Sequence, residues 1–169
     1  MDDLVFREAR KSDLGAILDI YNFYIRTTTA NFYCQAVSKE ELRQIIFIGH
    51  QKYRTYVIYS AGKLAGFCFL TQYKKKQAYD RTAEIGVYIK PEFTGRGVGV
   101  TAVTFLEEEA ASREMRVVLA SISSENTASM KLFEKMGYEK CAHYREVGEK
   151  FGRLLDVVDY QKILKKESR

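Results

Sequence analysis

Apolar residues recur along the chain with two different periods, and the period changes at positions that also carry capping or turn residues. Alternating or unbroken apolar runs, which are typical of strands, cover residues 4–9, 55–59, 64–71, 81–89 and 117–122. Helical spacing predicts helices from a cap at 12–13 to about 25, after 38, from the glycines near 97 to about 113, and after 126. Two last strands are predicted at about 139–146 and 154–161, on either side of a glycine-containing loop.

The order of these elements, β-α-α-β-β-β-α-β-α-β-β, predicts a single α/β domain over 1–169 with a mixed sheet. Local signals support several of the boundaries. Ser38 and Glu41 have the spacing of a capping box, and Asn126 is a good N-cap for the last helix. The turn Ala61-Gly62-Lys63 predicts a hairpin.

Composition narrows the class of protein. The net charge of +5 and the pI near 9.0 permit nucleic-acid binding, but no recognition motif supports it, and an anionic cofactor would benefit from the same charge. Three widely spaced cysteines with no CxxC pair give no metal site. With no signal-peptide pattern and no apolar run near ~18 residues, we expect a cytoplasmic protein without a membrane partner.

The most informative segment is a glycine-rich turn between a strand and a helix. The strand ends before Pro91, and glycines follow at 95, 97 and 99. Glycine backbone can approach an anion closely, and the first turn of the next helix offers free N–H groups, so the segment predicts a phosphate site to which Arg96 adds a charge. The spacing fits neither a P-loop nor a dinucleotide-binding fingerprint. A tight turn without a ligand is the alternative reading.

Two separate motifs resemble the GNAT superfamily of N-acetyltransferases. The loop 94–99, Thr-Gly-Arg-Gly-Val-Gly, is similar to its pyrophosphate loop, and residues 126–138 are similar to its second cofactor segment. Within the superfamily, 78–89 and 145–153 resemble signatures of the phosphinothricin and methionine sulfone/sulfoximine acetyltransferases, and 30–32 also fits that branch. The resemblance spans nearly the whole chain.

The resemblance implies a fold, a cofactor and an assembly. The fold would be a mixed, mainly antiparallel sheet with splayed central strands flanked by helices. Acetyl-CoA would lie in the gap between those strands, without a metal, and the protein would form a homodimer. The implied cofactor-binding residues are Val87, Tyr88, Ile89, Thr94, Gly95, Arg96, Gly97, Val98, Gly99, Asn126, Ser129 and Phe133.

The resemblance also implies a chemistry, acetyl transfer to the amine of a small amino acid or its analogue. Glu84 corresponds to the proposed general base, which would take the proton that the amine must lose; a merely exposed or paired strand residue is the alternative. The implied substrate-binding residues are Phe32, Lys76, Tyr79 and Lys150.

Several positions depart from the family pattern. Phe133 stands where a Tyr or His usually acts as general acid, and we assign no general acid. Lys76 replaces an Arg and would hold a carboxylate with poorer bidentate geometry, while Leu154 replaces a Trp. Thr94 replaces a Gln or Arg. Other acceptors (a polyamine, an aminoglycoside or a peptide N-terminus) and a non-catalytic CoA-binding module therefore stay open.

Overall fold

The computed structural model describes residues 3–164, and in this range a seven-stranded sheet is flanked by four α-helices. The elements are, in chain order, β1 Leu4–Glu8, α1 Leu14–Thr27, α2 Lys39–Ile45, β2 Arg54–Ser60, β3 Lys63–Gln72, β4 Thr82–Ile89, α3 Val98–Ser112, β5 Val117–Ser123, α4 Thr127–Lys135, β6 Glu139–Lys150 and β7 Arg153–Ile163. The predicted order of helices and strands is confirmed. No helix within 3–164 has the length and apolarity needed to cross a membrane.

The sheet has the strand order β1-β2-β3-β4-β5-β7-β6. All neighbouring pairs are antiparallel except β4 and β5, which run parallel. This parallel pair is short, because only Thr82–Glu84 pairs with Val117–Leu119. Beyond Glu84, β4 continues along β3 alone while β5 continues along β7 alone. The two central strands therefore splay apart, as expected from the sequence resemblance.

Two hydrophobic layers lie on opposite faces of the sheet. On one face, α3 packs through Ala102, Val103 and Leu106 over β2–β5 and β7. On the other face, α1 and α2 pack against strand residues such as Val57 and Phe67 of β2 and β3. Because side chains alternate along a strand, Ile85 faces the α3 layer, whereas Glu84 and Tyr88 face the α1 side.

The end of the sheet differs from its prediction. The predicted Gly-containing loop between the last two strands is present but shorter than the expected 147–153, because β6 continues to Lys150 and β7 begins at Arg153. Phe151 and Gly152 have φ values of 53° and 72°, so they form the two-residue hairpin turn whose twist matches that of the strands. A glycine inside β6, Gly148, indicated a loop in the sequence but sits in the strand against the Phe32 ring, 3.4 Å from where its Cβ would be.

The start of α1 also differs in detail. The helix begins at Leu14 after a short 3-10 turn, Lys11–Asp13. Asp13 does not cap α1; its carboxylate instead accepts the backbone N–H of Arg10 at 2.7 Å and pairs with Arg7 at 2.8 Å. The capping box at α2 is present as expected, with Ser38 Oγ accepting the N–H of Glu41.

Candidate active site

A cleft of about 440 Å³ opens where β4 and β5 separate. Its walls are the free stretches of the two strands, and the glycine loop and the start of α4 close one end. Residues singled out in the sequence that line the cleft are Val87, Tyr88, Ile89, Thr94, Gly95, Gly97, Gly99, Asn126, Ser129 and Phe133. Tyr24, Ala30 and Ser121 line it as well. The structure therefore brings together ten of the twelve residues expected to bind the cofactor.

The end of β4 is fixed from two sides. The backbone N–H of Lys90 donates to Ala65 O at 2.8 Å, and the hydroxyl of Tyr24 donates to Ile89 O at 2.5 Å. These bonds hold β4 on the β3 side, so the gap toward β5 stays open. Tyr24 was not identified from sequence as a site residue. The sequence feature that could have identified Tyr24 is its position three residues after Tyr21, on the same face of the helix.

The glycine loop has the backbone conformation of an anion site. Gly95 and Gly97 have φ values of 73° and 81°, and no protein atom lies within 4 Å of a Cβ built on either. Gly97 is also the N-cap of α3, so the first N–H groups of the helix lie beside this open space. A group with several negative oxygens fits the space and the donors.

Two predicted cofactor residues lie elsewhere. The Arg96 guanidinium lies 5.8 Å from the centroid of the Phe93 ring and lines a neighbouring cavity with Lys63 and Lys90. Val98 is buried in the core beneath the loop. Arg96 therefore does not line the cleft, and Val98 contributes packing.

The second segment forms the opposite wall. The side chain of Asn126 accepts the backbone N–H of Ser129 at 3.2 Å, which caps α4 and sets its first turn against the cleft. Phe133 is buried, with its ring centroid 4.9 Å from that of Tyr138 in an edge-on contact. No proton donor therefore stands at position 133.

Glu84 lies at the point where β4 and β5 begin to separate, which we call the vertex of the cleft. It is the last β4 residue to pair with β5, opposite Leu119, and it is half-buried on the α1 side of the sheet. Burial, with a smaller contribution from the negative charge of Asp159, raises the pKa of the Glu84 carboxyl above its usual range. A carboxylate with a raised pKa is a stronger base than a surface carboxylate, so Glu84 is suited to accept a proton.

Asn31 links the loop after α1 to two expected site residues. Its side chain donates to Tyr88 Oη at 3.1 Å, and its backbone carbonyl accepts a hydrogen bond from Lys150 Nζ at 2.5 Å. Lys150 is 3% exposed, and burial lowers its pKa. Lys150 and Phe32 therefore meet at one corner, which the β6–β7 hairpin and the 28–34 loop form together. The sequence indicated Asn31 only as a member of the 30–32 segment and gave it no role of its own.

The remaining two expected substrate residues lie between β3 and β4. Tyr79 makes an edge contact with Tyr73, with ring centroids 5.6 Å apart, and Lys76 is exposed. The cation that contacts these rings is Lys74, whose Nζ lies 4.8 Å from the Tyr73 centroid and 5.3 Å from that of Tyr79. The sequence indicated a positive edge at 74–76, but it did not distinguish Lys74 from its neighbours.

Comparison with known proteins agrees with this geometry. Residues 6–158 match the acetyltransferase (GNAT) domain family. The chain is 31% identical over 162 residues to a phosphinothricin N-acetyltransferase of Streptomyces coelicolor, covering 94% of this chain and 95% of that protein. It is 33% identical over 158 residues to an L-methionine sulfoximine/L-methionine sulfone acetyltransferase of Pseudomonas aeruginosa, covering 92% and 91%.

A solved structure extends the match to three dimensions. The protein yncA from Salmonella typhimurium, solved with its cofactor acetyl-CoA, superposes with a TM-score of 0.85 at 29% identity. The superposition covers 98% of this chain and 96% of the Salmonella chain.

Proposed function

The chain belongs to the GNAT acetyltransferase family, and from that premise we propose that it transfers the acetyl group of acetyl-CoA to the amine of a small amino acid or analogue, of the phosphinothricin or methionine sulfone/sulfoximine type. One observation carries the proposal. The β4–β5 cleft has a glycine anion loop at one end, and Glu84, a carboxyl of raised pKa, lies where the two strands separate.

The cleft residues fit acetyl-CoA. The backbone of Gly95, Gly97 and the first turn of α3 would hold the pyrophosphate, since no Cβ or neighbouring atom fills that space. The free edge of Val87–Ile89 would pair with the extended pantetheine arm and donate an N–H to the thioester oxygen, a stabilisation worth about 3 kcal/mol per donor. When bound, acetyl-CoA supplies an acetyl carbon activated by its thioester.

Glu84 would act on the acceptor. An amine is mostly protonated near pH 7 and cannot attack a carbonyl until it loses a proton. Glu84 would take that proton directly or through one water. The departing sulfur needs no side-chain acid, because a thiolate is a tolerable leaving group with a conjugate pKa of about 8.5. The absence of a donor at Phe133 is therefore compatible with turnover.

The acceptor would enter at the corner beside Glu84. Phe32 and Lys150 lie where the 28–34 loop meets the β6–β7 hairpin, and Lys76 and Tyr79 lie between β3 and β4; these four residues would bind the acceptor. The names of the two relatives support an amino-acid analogue as acceptor. Lysine in place of arginine at position 76 would bind a substrate carboxylate more weakly, because lysine cannot make the bidentate contact.

A thiol-release assay tests the proposal. The protein is incubated with acetyl-CoA and, separately, L-methionine sulfone, L-methionine sulfoximine, phosphinothricin, common amino acids, a polyamine, an aminoglycoside and a short peptide. We expect release with one of the first three. Release only with a polyamine, aminoglycoside or peptide would keep the reaction and change the acceptor. Acetyl-CoA binding without release from any amine would favour a non-catalytic CoA-binding module.

We also propose that the protein forms a homodimer through the end of the β6–β7 hairpin. Val147, Phe151 and Leu154 are 58%, 52% and 56% exposed there, although all three are large and apolar. An apolar cluster of this kind on a small domain is typical of an interaction surface. The same hairpin end carries Lys150, so the interface would adjoin the acceptor corner.

A further inference from the structure

Asp159, on β7, is a buried carboxylate without a cation. It is 8% exposed, and Ser121 Oγ donates to its Oδ1 at 2.5 Å. Within residues 3–164, no lysine, arginine or histidine forms an ion pair with it within 4.0 Å. Burial of a charge is unfavourable unless the charge is paired, so an unpaired carboxylate in this position indicates a missing positive partner.

Strand register places Asp159 on the same face as Glu84. Glu84 pairs with Leu119, and Asp159 pairs with Ser121 two residues further along β5. Residues two apart on a strand, and residues paired across strands, share a face. Ser121 itself is exposed and lines the cleft, so it connects Asp159 to the space where the two strands part.

The two carboxyls are close enough to influence each other electrostatically. The charge of Asp159 is one of the causes that raise the pKa of Glu84. Two further titratable groups lie near this pair: Cys141 of β6, whose thiol donates to the backbone oxygen of Asp159 at 3.3 Å, and Tyr88 of β4, which interacts electrostatically with Glu84. None of these groups is cationic. Two carboxyls therefore lie on one face of the sheet beside the point where β4 and β5 separate, and Ser121 joins Asp159 to the cleft.

We infer that Asp159, held by Ser121, binds the protonated acceptor amine, so that the acceptor enters as an ammonium ion between Asp159 and Glu84. One proton then passes to Glu84. The nitrogen lone pair forms the C–N bond as the C–S bond breaks, and the second proton leaves with the thiol or to water. The inference rests on the proposed acetyl transfer, because it assigns a role within that same site.

The test compares Asp159→Asn with Asp156→Asn in the full chain. Asp156 is a matched control on the same strand, where it binds His143 at 2.7 Å and the N–H of Glu146 at 2.8 Å outside the cleft. Calorimetry with CoA-loaded protein would measure binding of the best amine from the thiol-release panel, or of L-methionine sulfone if none turns over. It would also measure binding of the analogue in which an uncharged hydroxyl replaces the ammonium group.

We expect Asp159→Asn to weaken amine binding roughly tenfold or more, as for the loss of a hydrogen bond to a charged group, with no change for the hydroxyl analogue, for CoA or in Asp156→Asn. In turnover, the KM for the amine rises, and the acidic limb of the kcat/KM profile moves to lower pH because Glu84 loses a like charge. Equal amine binding by Asp159→Asn and wild type, or an equal loss for the hydroxyl analogue, overturns the inference while acetyl transfer by wild type stands. If the wild type binds CoA but no amine, both proposals fail.

Discussion

At the scale of single residues, the site depends on the partly buried carboxyl of Glu84. Glu84 is the last β4 residue to pair with β5, and the cleft opens along β4 beyond it. Burial on the sheet side raises its pKa, and the cleft side leaves room for a substrate. A group placed in this way is costly for folding and useful for proton transfer, which is a common combination at functional sites.

Replacing Glu84 tests its role as base. We expect Glu84→Gln to lower kcat by about 10²–10⁴, since that is the usual contribution of a positioned general base, and to abolish the acidic limb of the pH profile. Acetyl-CoA affinity should stay within about twofold, because Glu84 lies at the vertex and not along the cleft walls. Glu108→Gln, on exposed helix surface, is the control. Unchanged turnover at every pH would exclude Glu84 as the base.

The pH dependence of the stability of Glu84→Gln should reveal the raised pKa of Glu84. The folded protein holds the Glu84 proton to a higher pH than the unfolded chain does, so the favourable contribution is complete below the unfolded pKa of 4.5 and is lost as pH rises through the folded pKa. Glutamine does not titrate. The Tm of Glu84→Gln minus that of the wild type, measured by thermal unfolding, should therefore increase from pH 4 to pH 8. A constant difference would mean that the Glu84 pKa is unperturbed.

At the scale of elements, the cofactor end depends on backbone that a side chain would obstruct. The turn between β4 and α3 carries glycines in the left-handed region, and the space beside them is open. The β2–β3 turn has the same property at Gly62, where φ is 75° and nothing lies within 4 Å. The two turns are alike in conformation and differ in what lies next to them, which allows strain and binding to be separated.

Alanine at each turn makes that separation. We expect Gly97→Ala and Gly62→Ala both to lower the free energy of unfolding by about 1–2 kcal/mol, the cost of a positive φ for a residue with a Cβ. Only Gly97→Ala should weaken acetyl-CoA binding, by roughly tenfold or more, because its Cβ would enter the anion space. Denaturant unfolding and calorimetry would measure the two effects. Similar acetyl-CoA affinities in both variants would contradict the assignment of the loop.

The elements themselves could be predicted from sequence because local signals agreed with the tertiary structure. Apolar periodicity, the Ser38–Glu41 capping box and Asn126 each specify a boundary within a few residues. The hairpin end could not be predicted, since Gly148 and Gly152 indicate a loop and only cross-strand pairing shows that Gly148 continues β6. The Ser121–Asp159 contact could not be predicted either, because it joins residues 38 positions apart through β5–β7 register.

At the scale of the whole molecule, the sheet is unevenly covered. Helices α1 and α2 pack on the β2–β4 side, while β6, an edge strand, is exposed along most of its length. Edge strands invite pairing with other chains unless they are protected. The hairpin end adds three large apolar side chains, Val147, Phe151 and Leu154, to this exposed edge. A second copy of the chain would cover both features at once.

Charge placed at the hairpin end should prevent that association. We expect the wild type to sediment as a dimer at micromolar concentration and Leu154→Lys to sediment as a monomer, because desolvating a lysine in an apolar interface is unfavourable. Ile163→Lys is the matched control: Ile163 is also 56% exposed and lies at the other end of β7. It should stay dimeric.

The monomeric variant should also affect the acceptor. Lys150 and the Asn31 carbonyl join the hairpin to the loop after α1, so an interface at the hairpin end would stiffen the corner where the amine enters. Leu154→Lys should therefore raise the acceptor KM severalfold. Acetyl-CoA affinity should stay unchanged, because residues 126–133 and the glycine loop, which would set it, belong to a separate part of the fold. A wild-type monomer, or a Leu154→Lys monomer with the wild-type acceptor KM, would show that each chain completes its acceptor site alone.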